Sequence, residues 1–318
     1  MPTKTRTRPV AQATTQVAEE AAILRADSLA GEGWLVHGFS TRLHPGARRS
    51  AKPGLRDFTL GVGEGVNAAQ AERNRKQFLR ALMGPAGVGA TGGAARQSTG
   101  QLVTVRQVHS DIIHVARRVP AAPPAGDGII TNVRGLLLGI KTADCVPVLV
   151  ADPEQRAVGA FHAGWRGTLA RIVEKGIGAM RREFGSREGY LKAAIGPAIH
   201  ACCYQVSEEL RDKFESQFDY AASLFVEKFD VDPVRRKYPL LFMNARAPGH
   251  AEVSRQLHLD LIEANRQQLL AAGVREENIS IVPLCTACRT DLLFSHRAEQ
   301  GKAGRMMAVI GIRAGKTP

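Results

Sequence analysis

A cysteine and a histidine stand at the ends of two apolar runs near the middle of the 318-residue sequence. Cys145 precedes the first run and His162 ends the second, with an Asp152-Pro153 turn between them. Two strands folded into a hairpin at this turn would bring the thiol and the imidazole close together. Such a pair supplies either ligands for zinc or a thiol nucleophile with a basic partner.

His109 is a third candidate, because it also lies where an apolar run ends. Zinc in a catalytic site takes three protein ligands and keeps one open position, and one cysteine with two histidines satisfies that number. The competing hypothesis is a Cys145 thiolate activated by His162, with Asp144 or Asp127 orienting the imidazole. The spacings are too long for a local finger motif, and spacing alone leaves both hypotheses open.

A second group of thiols consists of Cys202-Cys203 and Cys285-Thr-Ala-Cys288. Together they could form a four-thiolate structural zinc site, but adjacent cysteines in a strand point to opposite faces. Unligated buried thiols are therefore the favoured interpretation. The chain is large and has an odd number of cysteines, five, which favours a reducing compartment. We expect a cytoplasmic protein.

Two arginines are candidate phosphate ligands. Arg166 lies at a predicted helix N-terminus directly after His162, where free N–H groups favour an anion. Arg42 follows the Phe39 run, and its guanidinium fork matches phosphate oxygens. The net charge of +13 is spread widely, and no Lys/Arg block is interleaved with aromatic residues. We expect a local phosphate site and no nucleic-acid binding.

The elements that must position these residues are mainly strands. Residues 102–115 predict a hairpin with His109 at its turn, and residues 146–162 predict a second one. Helical spacing of apolar residues predicts helices over 68–83 and 257–272, and another directly after the second hairpin. Because strands outnumber helices and often form hairpins, a mixed sheet is favoured over a doubly wound parallel one.

The predicted organisation is a flexible N-terminal extension over residues 1–33 and one globular domain over 34–313. The extension is rich in Ala, Glu and Gln and has few large apolar residues to bury. The segment 84–100 contains six glycines and is predicted to be an insertion. No run of about 18 apolar residues occurs, so no membrane span is expected. The basic, polar N-terminus does not predict a secretory signal.

Several motifs occur in a characteristic order between residues 34 and 312. They are Gly38-Phe-Ser-Thr-Arg42, Arg106-Gln-Val-His109, Gly126-Asp-Gly128, Thr142-Ala-Asp-Cys145, His162-Ala-Gly-Trp-Arg-Gly167, Ala194-Ile-Gly-Pro197, Leu259-Asp-Leu261, Cys285-Thr286, Phe294-Ser-His-Arg297 and Gly304-Arg305. In these motifs the chain resembles the YfiH/laccase-domain family. Its members, once described as polyphenol oxidases, are now viewed as zinc-dependent purine nucleoside phosphorylases with added adenosine deaminase activity.

The resemblance implies an α+β fold, a layered αββα sandwich with mixed sheets in a single domain. It implies that His109, Cys145 and His162 bind zinc and form the catalytic centre. It also implies that adenosine, inosine, guanosine or methylthioadenosine is cleaved with phosphate. We expect a monomer or homodimer without a membrane partner.

Three alternatives to this function stay open. One is a copper-dependent, laccase-like polyphenol oxidase, because imidazole also suits copper. The nine histidines are scattered, however, whereas several coppers need close-set histidine motifs. The second alternative is a cysteine hydrolase that uses Cys145 as its nucleophile. The third is a non-catalytic binding or regulatory protein that keeps the fold.

Overall fold

Two β-sheets packed face to face form the centre of the molecule. The computed structural model describes residues 22–45, 57–61, 66–84, 100–229 and 255–314. One sheet has five strands: β1 (Ile23–Leu24), β2 (Leu35–Ser40), β3 (Gln101–Thr104), β6 (Leu136–Thr142) and β14 (Met306–Ile312). Their order across the sheet is β1-β2-β14-β6-β3, with β3 parallel to β6 and the other pairs antiparallel.

The facing sheet has six strands: β4 (Ile113–Val115), β5 (Gly128–Thr131), β7 (Val146–Asp152), β8 (Ala157–Ala163), β9 (Lys192–Ile195) and β13 (Ile279–Ile281). Their order is β13-β9-β7-β8-β5-β4, with parallel pairs only at the two edges. A small third sheet pairs β12 (Arg255–Leu259) with β10 (Gln205–Val206) on one side and with β11 (Phe225–Phe229) on the other.

Alternating side chains build the core between the two large sheets. Leu138 and Ile140 of β6 pack in one cluster with Leu149 of β7 and Ala160 of β8. Successive strand residues point to opposite faces, so the residues between them pack on the outer faces of the sheets. Leu137, for example, belongs to a separate cluster on the far side of the five-stranded sheet.

Helices cover both outer faces of this pair of sheets. The helices are α1 (Ala68–Met83), α2 (Trp165–Leu169), α3 (Ile172–Phe184), α4 (Glu208–Glu215) and α5 (Leu261–Ala271). Phe78 and Leu82 of α1 pack on the five-stranded sheet. Met180 of α3 and Leu269 of α5 share a cluster with Phe161 of the six-stranded sheet. The four layers confirm the predicted single-domain αββα sandwich.

Local patterns predict some connections correctly and others not. The hairpin over 146–162 is confirmed, since β7 and β8 pair antiparallel from Val146–Ala163 to Asp152–Ala157. The hairpin predicted over 102–115 is wrong, because β3 belongs to one large sheet and β4 to the other. The segment between them therefore crosses from sheet to sheet, and His109 lies on that crossing.

Two further boundaries differ from the sequence predictions. The described part of the predicted extension packs on the domain, where β1 pairs with β2, and Leu24 and Leu29 are buried. The helix predicted over 257–272 begins only after β12, with Asp260 accepting a hydrogen bond from the Glu263 N–H as its cap. The predicted insertion at 84–100 falls almost wholly outside the described residues. None of the described helices is long and apolar enough to cross a membrane.

Candidate metal centre and anion-binding cavity

The β7–β8 hairpin brings Cys145 and His162 to one end and one face of the six-stranded sheet. His162 pairs with Pro147, and Cys145 comes immediately before the last pair of the ladder, Val146–Ala163. His162 alternates with Phe161, so its side chain points to the inner face, towards the five-stranded sheet. Cys145 has the same parity as Leu149, which also packs on that face.

His109 completes a compact group of three donor atoms. One donor atom from each of His109, Cys145 and His162 lies within 4.8 Å of the other two. The Cys145 Sγ is 3.9 Å from His109 Nε2, and the two imidazole rings are 5.0 Å apart at 72°. A thiolate with two imidazoles is a donor set that zinc accepts in tetrahedral sites, and imidazole also suits copper. The arrangement fits one metal ion.

Asp127 fixes the orientation of His162. The His162 Nδ1–H donates to Asp127 Oδ1 at 2.8 Å, and the His162 backbone N–H donates to the Asp127 carbonyl, also at 2.8 Å. This bond places a ring proton on Nδ1, so Nε2 is the nitrogen directed at a ligand. Of the two carboxylates considered from sequence as orienting groups, Asp127 therefore makes the contact.

The second oxygen of the same carboxylate holds the crossing that carries His109. Asp127 Oδ2 accepts the backbone N–H groups of Val108 at 3.1 Å and Ser110 at 2.7 Å, and the Ser110 hydroxyl at 2.8 Å. These bonds bracket His109, whose φ of 58° lies in the left-handed region that costs a non-glycine residue energy. One buried carboxylate thus positions both histidines.

Asp144 has a separate structural role beside Cys145. Its φ is 91°, a strained value for a residue with a side chain. Three contacts hold it: Thr286 Oγ1 donates to Oδ1 at 2.6 Å, the Arg297 N–H to Oδ2 at 2.7 Å, and the Ile199 N–H to its carbonyl at 2.9 Å. These contacts fix the backbone from which Cys145 projects.

The electrostatics of the group favour a thiolate. Burial disfavours a charge on Cys145, but His162 and His109 outweigh it and lower the pKa of the thiol to about 6. Burial likewise opposes a charge on His162, yet Cys145 and Asp127 raise the pKa of its imidazole. Despite its burial, hydrogen bonds from His162 and Ser110 hold the pKa of Asp127 well below its usual value. The thiolate is the form that binds metal or attacks an electrophile.

A cavity of about 360 Å³ opens beside the three donors. Its other lining residues are Arg106, Gln107, Lys141, Thr142, Ala143, His296 and Arg305. Three of them are cationic, and none of the described lining residues carries a carboxylate. Burial, together with Arg75 and Arg305, holds the pKa of Lys141 below its usual value. Three cations with no carboxylate among the described lining residues suit a polyanionic ligand such as phosphate.

Arg42 and Arg166 lie elsewhere. The Arg42 guanidinium pairs with Asp57 at 3.0 Å and Glu299 at 2.8 Å, and it stacks on Phe294. Arg166 stacks on Trp165 beside a separate open groove. Neither lines the cavity, so their predicted substrate-binding role has no support from their positions. The helix that contains Arg166, α2, is only five residues long and is separate from α3.

The family model described as multi-copper polyphenol oxidoreductase laccase matches residues 36–313. The chain belongs to the laccase-domain family. This match confirms the resemblance in the sequence motifs, and the solved structure of YlmD from Geobacillus stearothermophilus agrees with it. That structure has a TM-score of 0.69 and 29% identity, and the match covers 94% of this chain and 98% of that chain.

Curated relatives in the laccase-domain family match over a shorter stretch. The purine nucleoside phosphorylase YlmD of Bacillus subtilis is 34% identical over 198 residues, which is 62% of this chain and 63% of that protein. The adenosine deaminase RL5 of an unknown prokaryotic organism is 32% identical over 185 residues, 58% of this chain and 62% of that protein. The chain thus spans just over three fifths of the length of these relatives.

Several residues that line the cavity were not predicted as site residues from the sequence. Arg106, Gln107 and Lys141 are brought together by pairing: the Gln107 amide donates to the Lys141 carbonyl at 2.7 Å and accepts its N–H at 3.0 Å. Arg305 and His296 come from the C-terminal part of the chain. Each lies in or next to one of the laccase-domain motifs, and this position is the signal that could have identified them.

Proposed function

We propose that His109, Cys145 and His162 bind a zinc ion as the catalytic centre. Three converging donors, a thiolate favoured by its neighbours and a histidine oriented by Asp127 support this assignment. A zinc ion held there would supply Lewis-acid character and one open coordination position facing the cavity. Copper is the alternative ion, since the same donors accept it.

The protein is, on this proposal, a zinc-dependent purine nucleoside phosphorylase. It cleaves adenosine, inosine, guanosine or methylthioadenosine with phosphate, giving the base and ribose-1-phosphate or its methylthio analogue. A cationic cavity that ends on the donor group is the observation that carries the proposal. The names of its laccase-domain relatives support it, including an adenosine deaminase that motivates a deaminase side activity.

The residues of the cavity have distinct roles in phosphorolysis. Cleavage of the C1′–N9 bond places positive charge on the sugar, so phosphate must lie close to C1′ in the transition state. Arg106, Lys141 and Arg305 are the groups that hold phosphate there, through charge-assisted hydrogen bonds. The imidazole of His296 lies in the same cavity and can donate a proton to the departing purine nitrogen.

An assay of the purified protein separates this function from the copper oxidase alternative. Inosine or adenosine is incubated with and without phosphate, and the products are separated by chromatography. Release of base with ribose-1-phosphate only when phosphate is present is the expected result. Copper-dependent oxygen uptake with a phenol, without base release, would contradict it and favour the oxidase.

The cysteine hydrolase alternative has one specific observation in its favour, the Cys145, His162 and Asp127 contacts that a thiol nucleophile also needs. Metal analysis distinguishes the two chemistries. His162→Ala should lose zinc and phosphorolysis together, while His114→Gln, at a histidine outside the cavity, should keep both. Activity that survives complete zinc removal would instead support the thiol nucleophile.

A further inference from the structure

A second group of sulfur atoms lies outside the proposed catalytic centre. Cys202 and Cys203 lie in the turn before β10, and Cys285 and Cys288 lie in the segment after β13. All four Sγ atoms are within 4.8 Å of one another. The Cys288 Sγ is 3.5 Å from that of Cys202 and 3.4 Å from that of Cys203.

This convergence differs from the prediction of unligated buried thiols. The prediction treated Cys202 and Cys203 as strand neighbours, whose side chains diverge. They lie in a turn instead, where consecutive side chains can point to one place. Cys285 is buried, but Cys202 and Cys288 are exposed, so burial as small apolar groups does not explain the cluster.

One backbone N–H group is directed at the Cys285 sulfur. The His200 N–H donates to Cys285 Sγ at 3.5 Å. A parallel bridge between Ala198 and Cys285 joins the two cysteine segments. A peptide N–H directed at a sulfur of a Cys-x-x-Cys turn favours the thiolate form that binds metal.

We propose that Cys202, Cys203, Cys285 and Cys288 bind a single zinc ion as a closed four-thiolate site. Zinc–sulfur bonds of about 2.3 Å in a tetrahedron place the sulfurs about 3.8 Å apart, within the range seen here. A disulfide fits less well, because Cys288 is almost equally distant from two partners and a disulfide would leave two thiols unused.

The position of this site indicates a structural role. Thr286, inside the Cys-x-x-Cys turn, donates to the Asp144 carboxylate, while Ile199, just before the other cysteine segment, donates to the Asp144 carbonyl. A metal that joins the two segments therefore supports two of the three contacts that hold Asp144, the residue before Cys145. With all four positions taken by protein, it has no place for a substrate.

Metal content and cobalt spectroscopy of the full-length chain test the site independently of enzymatic activity. Protein purified under reducing conditions should contain two zinc equivalents. The Cys145→Ser/His162→Ala variant should keep one, and its cobalt(II) form should show thiolate charge-transfer and strong tetrahedral d–d absorption. Cys202→Ser/Cys288→Ser should also keep one zinc, together with phosphorolysis if the proposed function is correct.

Two outcomes would overturn the four-thiolate site. One is a single zinc equivalent in the unmodified protein with none in Cys145→Ser/His162→Ala. The other is a disulfide between Cys288 and Cys202 or Cys203 in the protein purified under reducing conditions. The cobalt spectrum decides the question even if the Cys202→Ser/Cys288→Ser variant fails to fold, because it is recorded on protein with all four thiols intact.

Discussion

The donor group at the cavity and the four-thiol group differ in composition and in what surrounds them. The first combines one sulfur with two nitrogens and faces a cationic cavity. The second consists only of sulfurs and lies where two turns meet. Three protein ligands leave a metal open to a reactant, whereas four close it. On the two proposals, the same residue type, cysteine, would have two different roles, set by the number and kind of its neighbours.

The sharpest test of this difference replaces one thiol in each group. Cys145→Ser should lower phosphorolysis by more than about 100-fold, since loss of a direct ligand exceeds the usual effect of losing its supporting partner. Cys288→Ser should leave the rate within about threefold but lower the thermal midpoint, because a structural metal contributes to folding energy. Steady-state kinetics and thermal unfolding measure the two effects, and equal rate losses would remove the distinction.

Asp127, which contacts His162 at the open end of the β7–β8 hairpin, offers a second comparison, with Asp152 at the turn of that hairpin. Asp127→Asn removes the charge that orients His162, and the affinity of the first site for zinc should fall about 10- to 100-fold. Asp152→Asn changes a carboxylate that is equally buried, at the β7–β8 turn, where it accepts the Glu154 and Gln155 N–H groups. Competition with a chelator should give an unchanged zinc affinity for this control. A loss of zinc from the four-thiol group in Asp127→Asn would contradict the independence of the two sites.

The cationic residues that line the cavity should affect phosphate binding at the donor group beside it. Lys141→Met removes one charge from the cavity, and the KM for phosphate should rise about 10-fold, as expected for one charged hydrogen bond. Lys302→Met removes the same charge from an exposed position outside the lining. Initial rates over a range of phosphate concentrations should show no change for this control. If the KM for phosphate of Lys141→Met were as unchanged as that of Lys302→Met, Lys141 would be excluded from phosphate binding.

The smallest expected effect concerns packing against the donors. An alanine Cβ at Gly164 would lie 2.9 Å from Cys145 Sγ and 3.1 Å from His109 Cδ2, so the donors must shift by a few tenths of an ångström. Gly164→Ala should lower activity about fivefold, less than a full ångström of misplacement would. Gly178→Ala, in α3, meets only the Arg182 guanidinium at 3.5 Å and should keep full activity. Cobalt spectra of both variants would show whether only Gly164→Ala distorts the first site.

The sequence predicts those features that depend on neighbouring residues. Period-two alternation and a turn predict the β7–β8 hairpin, which positions Cys145 and His162. Helical spacing predicts α1 with its buried residues Phe78, Leu79 and Leu82. Both patterns are local, so tertiary context did not override them.

Features that depend on distant partners could not be predicted in this way. Alternation in β3 and β4 does not indicate which sheet each strand joins, and the two strands therefore resembled a hairpin. Arg42 has the chemistry of a phosphate ligand, but its guanidinium forms an ion pair with Glu299, which is distant in the sequence. The four thiols lie close together only because two turns that are distant in the sequence come into contact, and residue spacing does not predict that contact.

One carboxylate, that of Asp127, contacts both histidine positions, and this should affect how the donor group at the cavity responds to substitutions. Because Asp127 binds His162 through one oxygen and the backbone around His109 through the other, the two positions are thermodynamically coupled. Free-energy losses on altering both should not sum, since either change already frees the shared anchor. The two histidine positions should therefore respond to substitution as one cooperative unit, and the metal proposed to bind there would depend on that unit as a whole.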